Sequence, residues 1–316
     1  MDGMTGAPID VSSGRQHTLK SQIDCVGVGL HGGEKVSLSL LPAAPGTGIV
    51  FRRTDLGIDI PARHDWVTDT RLCTQLSHPD HPGAQVRTVE HVMAALAGTG
   101  IDNAVICVDG PELPVLDGSA APIVFLIDCA GRIAQAAPRQ ILRIIKPVRV
   151  EQNGAFAELR PGGGGALDMA LSIDFAAAAI GRQALSLTLT EAGFRKLLAG
   201  ARTFTMLHEI EALQQAGLAR GGSLKNAIVV DGDRILNPEG LRAPDEFVRH
   251  KLLDAVGDLA LAGAPIHGRF IASRTGHALN NRLLRALMAD ESAWQLDPVE
   301  SIGWGASGYA MAARAA

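Results

Sequence analysis

Apolar and polar positions alternate through residues 16–55, the two-residue period of half-buried strands. Val36, Leu38 and Leu40 fall on one face of one such strand. Turn residues at 42–48 separate it from a further strand at 49–51. The period then lengthens. Residues 88–98 read as a helix, with Thr88 as its cap and Gly98 as its stop. A strand at 101–108 follows, then a helix over 121–130 closed by Gly131. Ala136, Ala137 and Pro138 read as a linker, beyond which a new strand set opens over 141–150.

The second half echoes the first. A-E-L-R-P-G-G-G-G-A-L-D-M-A-L-S at 157–172 matches L-S-L-L-P-A-A-P-G-T-G-I-V-F-R-R at 38–53 in outline: strand, proline, glycine-bearing turn, strand. V-E-H at 89–91 and V-R-H at 248–250 each open a helix that leads through glycine into a strand. The expectation is an α+β chain of two similar layered domains packed against each other. The first would span 16–137 and the second 138–300, with 1–15 a flexible lead and 301–316 a tail. Residues 201–235 break the echo as an insert, with a helix near 206–215, Gly221 and Gly222, and a strand at 227–230. Inserts on a repeated scaffold often carry specificity.

The bulk numbers narrow the class. The chain has 316 residues, 47% hydrophobic and 20% charged, which suits a packed globular protein. A formal net charge of -4 without a basic run gives nucleic-acid binding no electrostatic support. Arg52 and Arg53 read as a solvated strand edge. No window approaches the roughly 18 apolar residues of a membrane span, and the N-terminus lacks the pattern of a secretory signal. Four dispersed cysteines (Cys25, Cys73, Cys107, Cys129) fit free thiols in a reducing cytoplasm.

Candidate chemistry gathers on two segments. Glu90 stands directly before His91, and His250 and Asp254 are four residues apart. A helical i,i+4 pair shares a face and can grip one ion. Two imidazoles and a carboxylate make three ligands, the number that leaves a zinc position open to water. A carboxylate beside them sits where a general base belongs. Taken alone, either pair is more often a surface coincidence. The set is what shifts the reading, because Asp258 lies one further turn along the same side and His277 opens another helix. Three polar groups in a row on one helix are costly in a core unless paired or metal-bound. Asp258 can anchor a cationic histidine.

Other signals are set aside. G-V-G-L-H-G at 27–32 matches a dinucleotide motif, but the next residues read as strand where the motif needs a helix. The glycine run at 162–165 lacks the lysine and hydroxyl of a phosphate loop. His78 and His81 lie in a proline-rich loop, and His31, His208 and His267 have no evident partners.

The segments T-V-E-H-V-M-A-A-L-A-G-T-G-I-D-N, L-P-V-L-D-G-S-A-A-P, A-R-T-F, G-G-S-L-K-N-A-I-V-V, D-E-F-V-R-H-K-L-L-D-A-V-G-D and T-G-H-A-L-N-N together resemble the zinc-dependent UDP-3-O-acyl-N-acetylglucosamine deacetylases of lipid A biosynthesis. The resemblance runs from about residue 16 to about residue 287. It implies two similar domains, each with an insert, enclosing the active site between them. It implies His91, His250 and Asp254 as ligands of a zinc ion (iron being a possible substitute), Glu90 as general base, and His277 as a cation held by Asp258. Thr203 would donate to the developing oxyanion, Lys251 and Phe204 would help bind the UDP-linked acylated amino sugar, and the insert would form the acyl passage. The implied protein is a cytoplasmic monomer. Thr205 stands where the family often has glycine, Ala177 and Ala178 replace a histidine–proline pair, and Arg274 replaces a lysine. The rival readings are a zinc amidase for another N-acyl sugar and a sugar-nucleotide binding protein with structural zinc.

Overall fold

The computed structural model describes residues 14–163 and 165–299. The expected tail lies outside the described residues, as does the expected lead apart from Gly14 and Arg15. Among the described residues the α-helices are α1 Glu90–Gly98, α2 Ala121–Ala130, the single turn α3 Glu191–Gly193, α4 Leu207–Gln215, α5 Glu246–Ala260 and α6 His277–Ala289.

Two sheets repeat one topology. In the first, Ile23–Val28, Lys35–Pro42, Ala104–Val108, Ile49–Arg53 and Ile58–Pro61 lie side by side in that order. In the second, Val148–Gln152, Ala155–Arg160, Ile266–Ser273, Leu167–Asp174 and Arg182–Thr188 take the corresponding places. Both run antiparallel, antiparallel, parallel, antiparallel across the four pairings. The second sheet continues through Gln140–Ile144 and Trp294–Pro298. The echo in the sequence is therefore an echo in topology, and the chain is α+β with two like halves.

Each half carries an insert before its central helix. In the first it is a small sheet of Val67–Asp69, Gln75–Ser77 and Gln85–Val86, leading into α1. In the second it is Phe204–Met206, Ile228–Asp231 and Arg234–Ile235 with α4, leading into α5.

Alternation along each strand decides what is buried. Leu167, Met169, Leu171 and Ile173 point inward from one strand, and Val36, Leu38 and Leu40 from another. They join one apolar cluster with Leu96 of α1, Phe247, Leu252 and Leu253 of α5, and Leu283 and Leu284 of α6. Helices α5 and α6 pack on strands of the second sheet, α2 on the first, and α1 runs along α5. The two polar-bearing helices thus meet in the interior between the sheets.

Three sequence expectations are corrected. Thr88 does not cap α1: the helix begins at Glu90, Thr88 takes φ +58°, and its hydroxyl donates to Glu112 Oε1 at 3.2 Å. Ala136, Ala137 and Pro138 belong to the strand Arg132–Pro138, which pairs with Arg15–Leu19. Arg52 is solvated, but Arg53 is buried, 5% exposed, with its guanidinium on Asp55 and the Gln85 carbonyl.

Candidate active site

Helix α5 carries Glu246, His250, Asp254 and Asp258 at four-residue steps, so all four lie along one slowly drifting stripe. Helix α1 presents Glu90 and His91 in its first turn. The helices touch at Gly257, where a Cβ would stand 2.0 Å from the Glu90 carbonyl oxygen. Only glycine permits that approach. His277, first residue of α6, closes the group from the third side.

The structure brings six of the sequence-derived residues together. His91, His250 and Asp254 each offer a ligand atom, all within 4.8 Å of one another. Asp254 Oδ1 is 3.3 Å from His250 Nε2 and 3.6 Å from His91 Nε2. His277 Nδ1 lies 2.9 Å from Asp258 Oδ2, and His277 Nε2 is 4.0 Å from Glu90 Oε1. All six are buried, Glu90 to 3% exposure.

The donor set fits a metal ion. The Ala201 carbonyl can only accept, so His250 Nδ1, at 3.0 Å, donates to it. That leaves a lone pair on Nε2. Burial also pushes the His250 pKa down to about 4, which keeps the ring neutral. Asp254 Oδ1 faces this lone pair, buried and without a hydrogen bond. Two acceptors facing each other repel unless a cation stands between them. A carbonyl fixing the far nitrogen of a ligating histidine is the usual outer support of such centres.

Burial and neighbouring charge act together on His277 and Glu90. Burial favours a neutral His277, but Asp258, then Glu90, override it, and the pKa rises to about 9. The ring is therefore cationic at neutral pH. Asp258 is itself anchored by the Thr74 hydroxyl at 2.6 Å and the Asn280 amide at 2.8 Å. Burial raises the Glu90 pKa, partly offset by His277 and His91. The backbone N–H of Thr74 donates to Glu90 Oε2 at 3.0 Å, leaving Oε1 on the His277 side.

Thr203, Phe204 and Lys251 line the same cavity of about 240 Å³, together with Leu30, Leu72 and Met206. Lys251 Nζ sits 2.7 Å from Asp254 Oδ2, so it neutralises the oxygen turned away from the histidines. Phe204 stacks edge-on between Phe175 and Phe247 and approaches the His250 ring at 6.2 Å. The sequence reading missed Thr74, Asn280, Gly257 and the Arg202–Glu246 pair. Asn280 was visible as a polar residue one turn beyond His277 in T-G-H-A-L-N-N. Thr74 carried no signal, being 184 residues from Asp258.

Residues 16–289 match the model of the UDP-3-O-acyl N-acetylglycosamine deacetylase family. A UDP-3-O-acyl-N-acetylglucosamine deacetylase of Phenylobacterium zucineum is 52% identical over 284 residues, covering 89% of this chain and 96% of its own length. Proteins of the same name from Shewanella frigidimarina and Idiomarina loihiensis are 49% and 50% identical, each covering 89% of this chain and 92% of its own length.

Proposed function

The chain belongs to the UDP-3-O-acyl N-acetylglycosamine deacetylase family, and from that premise we propose that it removes the N-acetyl group of UDP-3-O-acyl-N-acetylglucosamine. The products are acetate and UDP-3-O-acyl-glucosamine, a step of lipid A biosynthesis. The observation that supports this most is the buried trio of His91, His250 and Asp254, with Glu90 and a cationic His277 turned toward it.

In this reading His91, His250 and Asp254 hold zinc. A bound zinc ion lowers the pKa of a water ligand to about 7 and polarises a carbonyl oxygen. Glu90 accepts a proton as water attacks the acetamide carbon. Its raised pKa suits a base that must later release that proton. The Thr203 hydroxyl donates to the oxyanion, a kind of contact worth about 10²-fold or more in rate. His277, fixed by Asp258, supplies positive charge or a proton to the departing amine. Lys251 and Phe204 contact the sugar nucleotide. The acyl chain follows the apolar wall of Leu30, Leu72 and Met206 toward the insert.

Among the described residues no helix is long and apolar enough to cross a membrane. The four free cysteines support placing the enzyme in the cytoplasm. The deciding assay measures acetate release from the acylated UDP-sugar against free N-acetylglucosamine. Turnover of the first alone supports the proposal; equal turnover of both would favour a general N-acyl-sugar amidase.

A further inference from the structure

Arg202 is 2% exposed and its partner Glu246 is fully buried. A buried ion pair is poor evidence of stabilisation, since apolar residues of similar volume often serve as well. What this pair supplies is geometry. Arg202 Nε donates to Glu246 Oε1 at 2.9 Å and Nη2 to Oε2 at 3.2 Å, a two-pronged grip. The other guanidinium contacts are Nη1 to Glu239 Oε1 and Nη2 to the Gly240 carbonyl, both at 2.7 Å. The Glu246 carboxylate also accepts the backbone N–H groups of Arg202 at 3.0 Å and Arg242 at 2.5 Å.

The residues on either side of Arg202 serve the candidate centre. The Ala201 carbonyl receives His250 Nδ1. Thr203 lines the cavity, and its backbone is tied to the Gly118 carbonyl and the Ile228 N–H, both at 2.8 Å. Glu246 is one turn before His250 on the same stripe of α5. We propose that the Arg202–Glu246 pair is a positioning device, clamping residues 201–203 to the ligand-bearing helix. The clamp fixes the His250 tautomer and the Thr203 hydroxyl together. This rests on the hydrolase reading above. Lysine at 202 keeps the charge but cannot reproduce the fork.

The test compares wild type, Arg202→Lys, Thr203→Val and the double variant at saturating zinc, with zinc affinity measured separately by chelator competition. Arg202→Lys should lower kcat about 10–100-fold with KM within about threefold. It should also weaken zinc binding about tenfold, through the lost support of His250. In the Thr203→Val background the same change should cost less than about threefold, because the hydroxyl it positions is gone. Glu239→Gln removes only a contact to a half-exposed side chain and should leave kcat within about twofold. Equal costs in both backgrounds, or a lowered Tm with kcat and zinc affinity unchanged, would overturn the proposal. If Arg202→Lys fails to fold by circular dichroism, Glu246→Gln should give the same split. Loss of fold in both would assign the pair to stability and also overturn it. Wild type that binds zinc but releases no acetate would sink the hydrolase reading instead, leaving the zinc-affinity arm standing.

Discussion

Gly257 of α5 rests against the Glu90 carbonyl of α1, leaving no room for a side chain: a Cβ there would be 2.0 Å from that oxygen. Alanine in a helix interior normally gains about 0.5–1 kcal/mol over glycine. Here the obstacle is backbone and cannot swing aside. Gly257→Ala should therefore destabilise by about 1–3 kcal/mol, the usual cost of overpacking. It should also weaken metal binding, because His91 moves away from His250 and Asp254. Thermal denaturation and metal titration of one preparation check both; a raised Tm with normal metal affinity would contradict the close-contact account.

The His277–Asp258 pair gives a pH prediction with a definite sign. His277 has its pKa raised from 6.5 to about 9 in the folded protein. Its contribution to metal-free stability is present below about 6.5 and lost as pH rises through about 9, of order ~3 kcal/mol. Asp258→Asn removes the main cause of the shift. The alkaline limb of the rate profile should move toward lower pH and the alkaline loss of metal-free stability should shrink. An unmoved limb would show that another group titrates there.

Glu90→Gln should retain zinc and lose most turnover, since an amide cannot accept the proton. Metal analysis beside acetate release settles it, and an unchanged rate would remove Glu90 as the base. His277→Ala should depress turnover more than zinc content; a variant that loses only zinc would make His277 a ligand.

Much of this centre was legible in the sequence because its parts are local. His250, Asp254 and Asp258 share a stripe of one helix, and Glu90–His91 open another. The repeat was legible because proline, glycine turn and strand recur in the same order, and the two sheets share one strand order and orientation. What escaped was long-range pairing. Arg202 and Glu246 are 44 residues apart, and nothing in A-R-T-F marks its arginine as buried. Thr88 looked like a cap because threonine caps helices well. Its hydroxyl is instead drawn to Glu112, a partner 24 residues away. Arg53 looked solvated until Asp55 and the Gln85 carbonyl supplied partners for its guanidinium.

Thiol reactivity separates this account from one with a cysteine nucleophile. Cys73 lines the cavity, but burial, then Glu90, push its thiol up to about 12. Cys129 is exposed. Iodoacetamide at neutral pH should modify Cys129 readily and Cys73 only after unfolding, as peptide mass spectrometry would show, with activity retained. Rapid labelling of Cys73 in the folded protein with parallel loss of activity would point to thiol chemistry.

The most direct test is an anomalous difference map recorded above and below the zinc edge on crystals of the purified protein. The account predicts one peak, about 2.0–2.2 Å from His91 Nε2, His250 Nε2 and an Asp254 carboxylate oxygen. A peak that omits any of these three, or one closed by a fourth protein side chain, would contradict it.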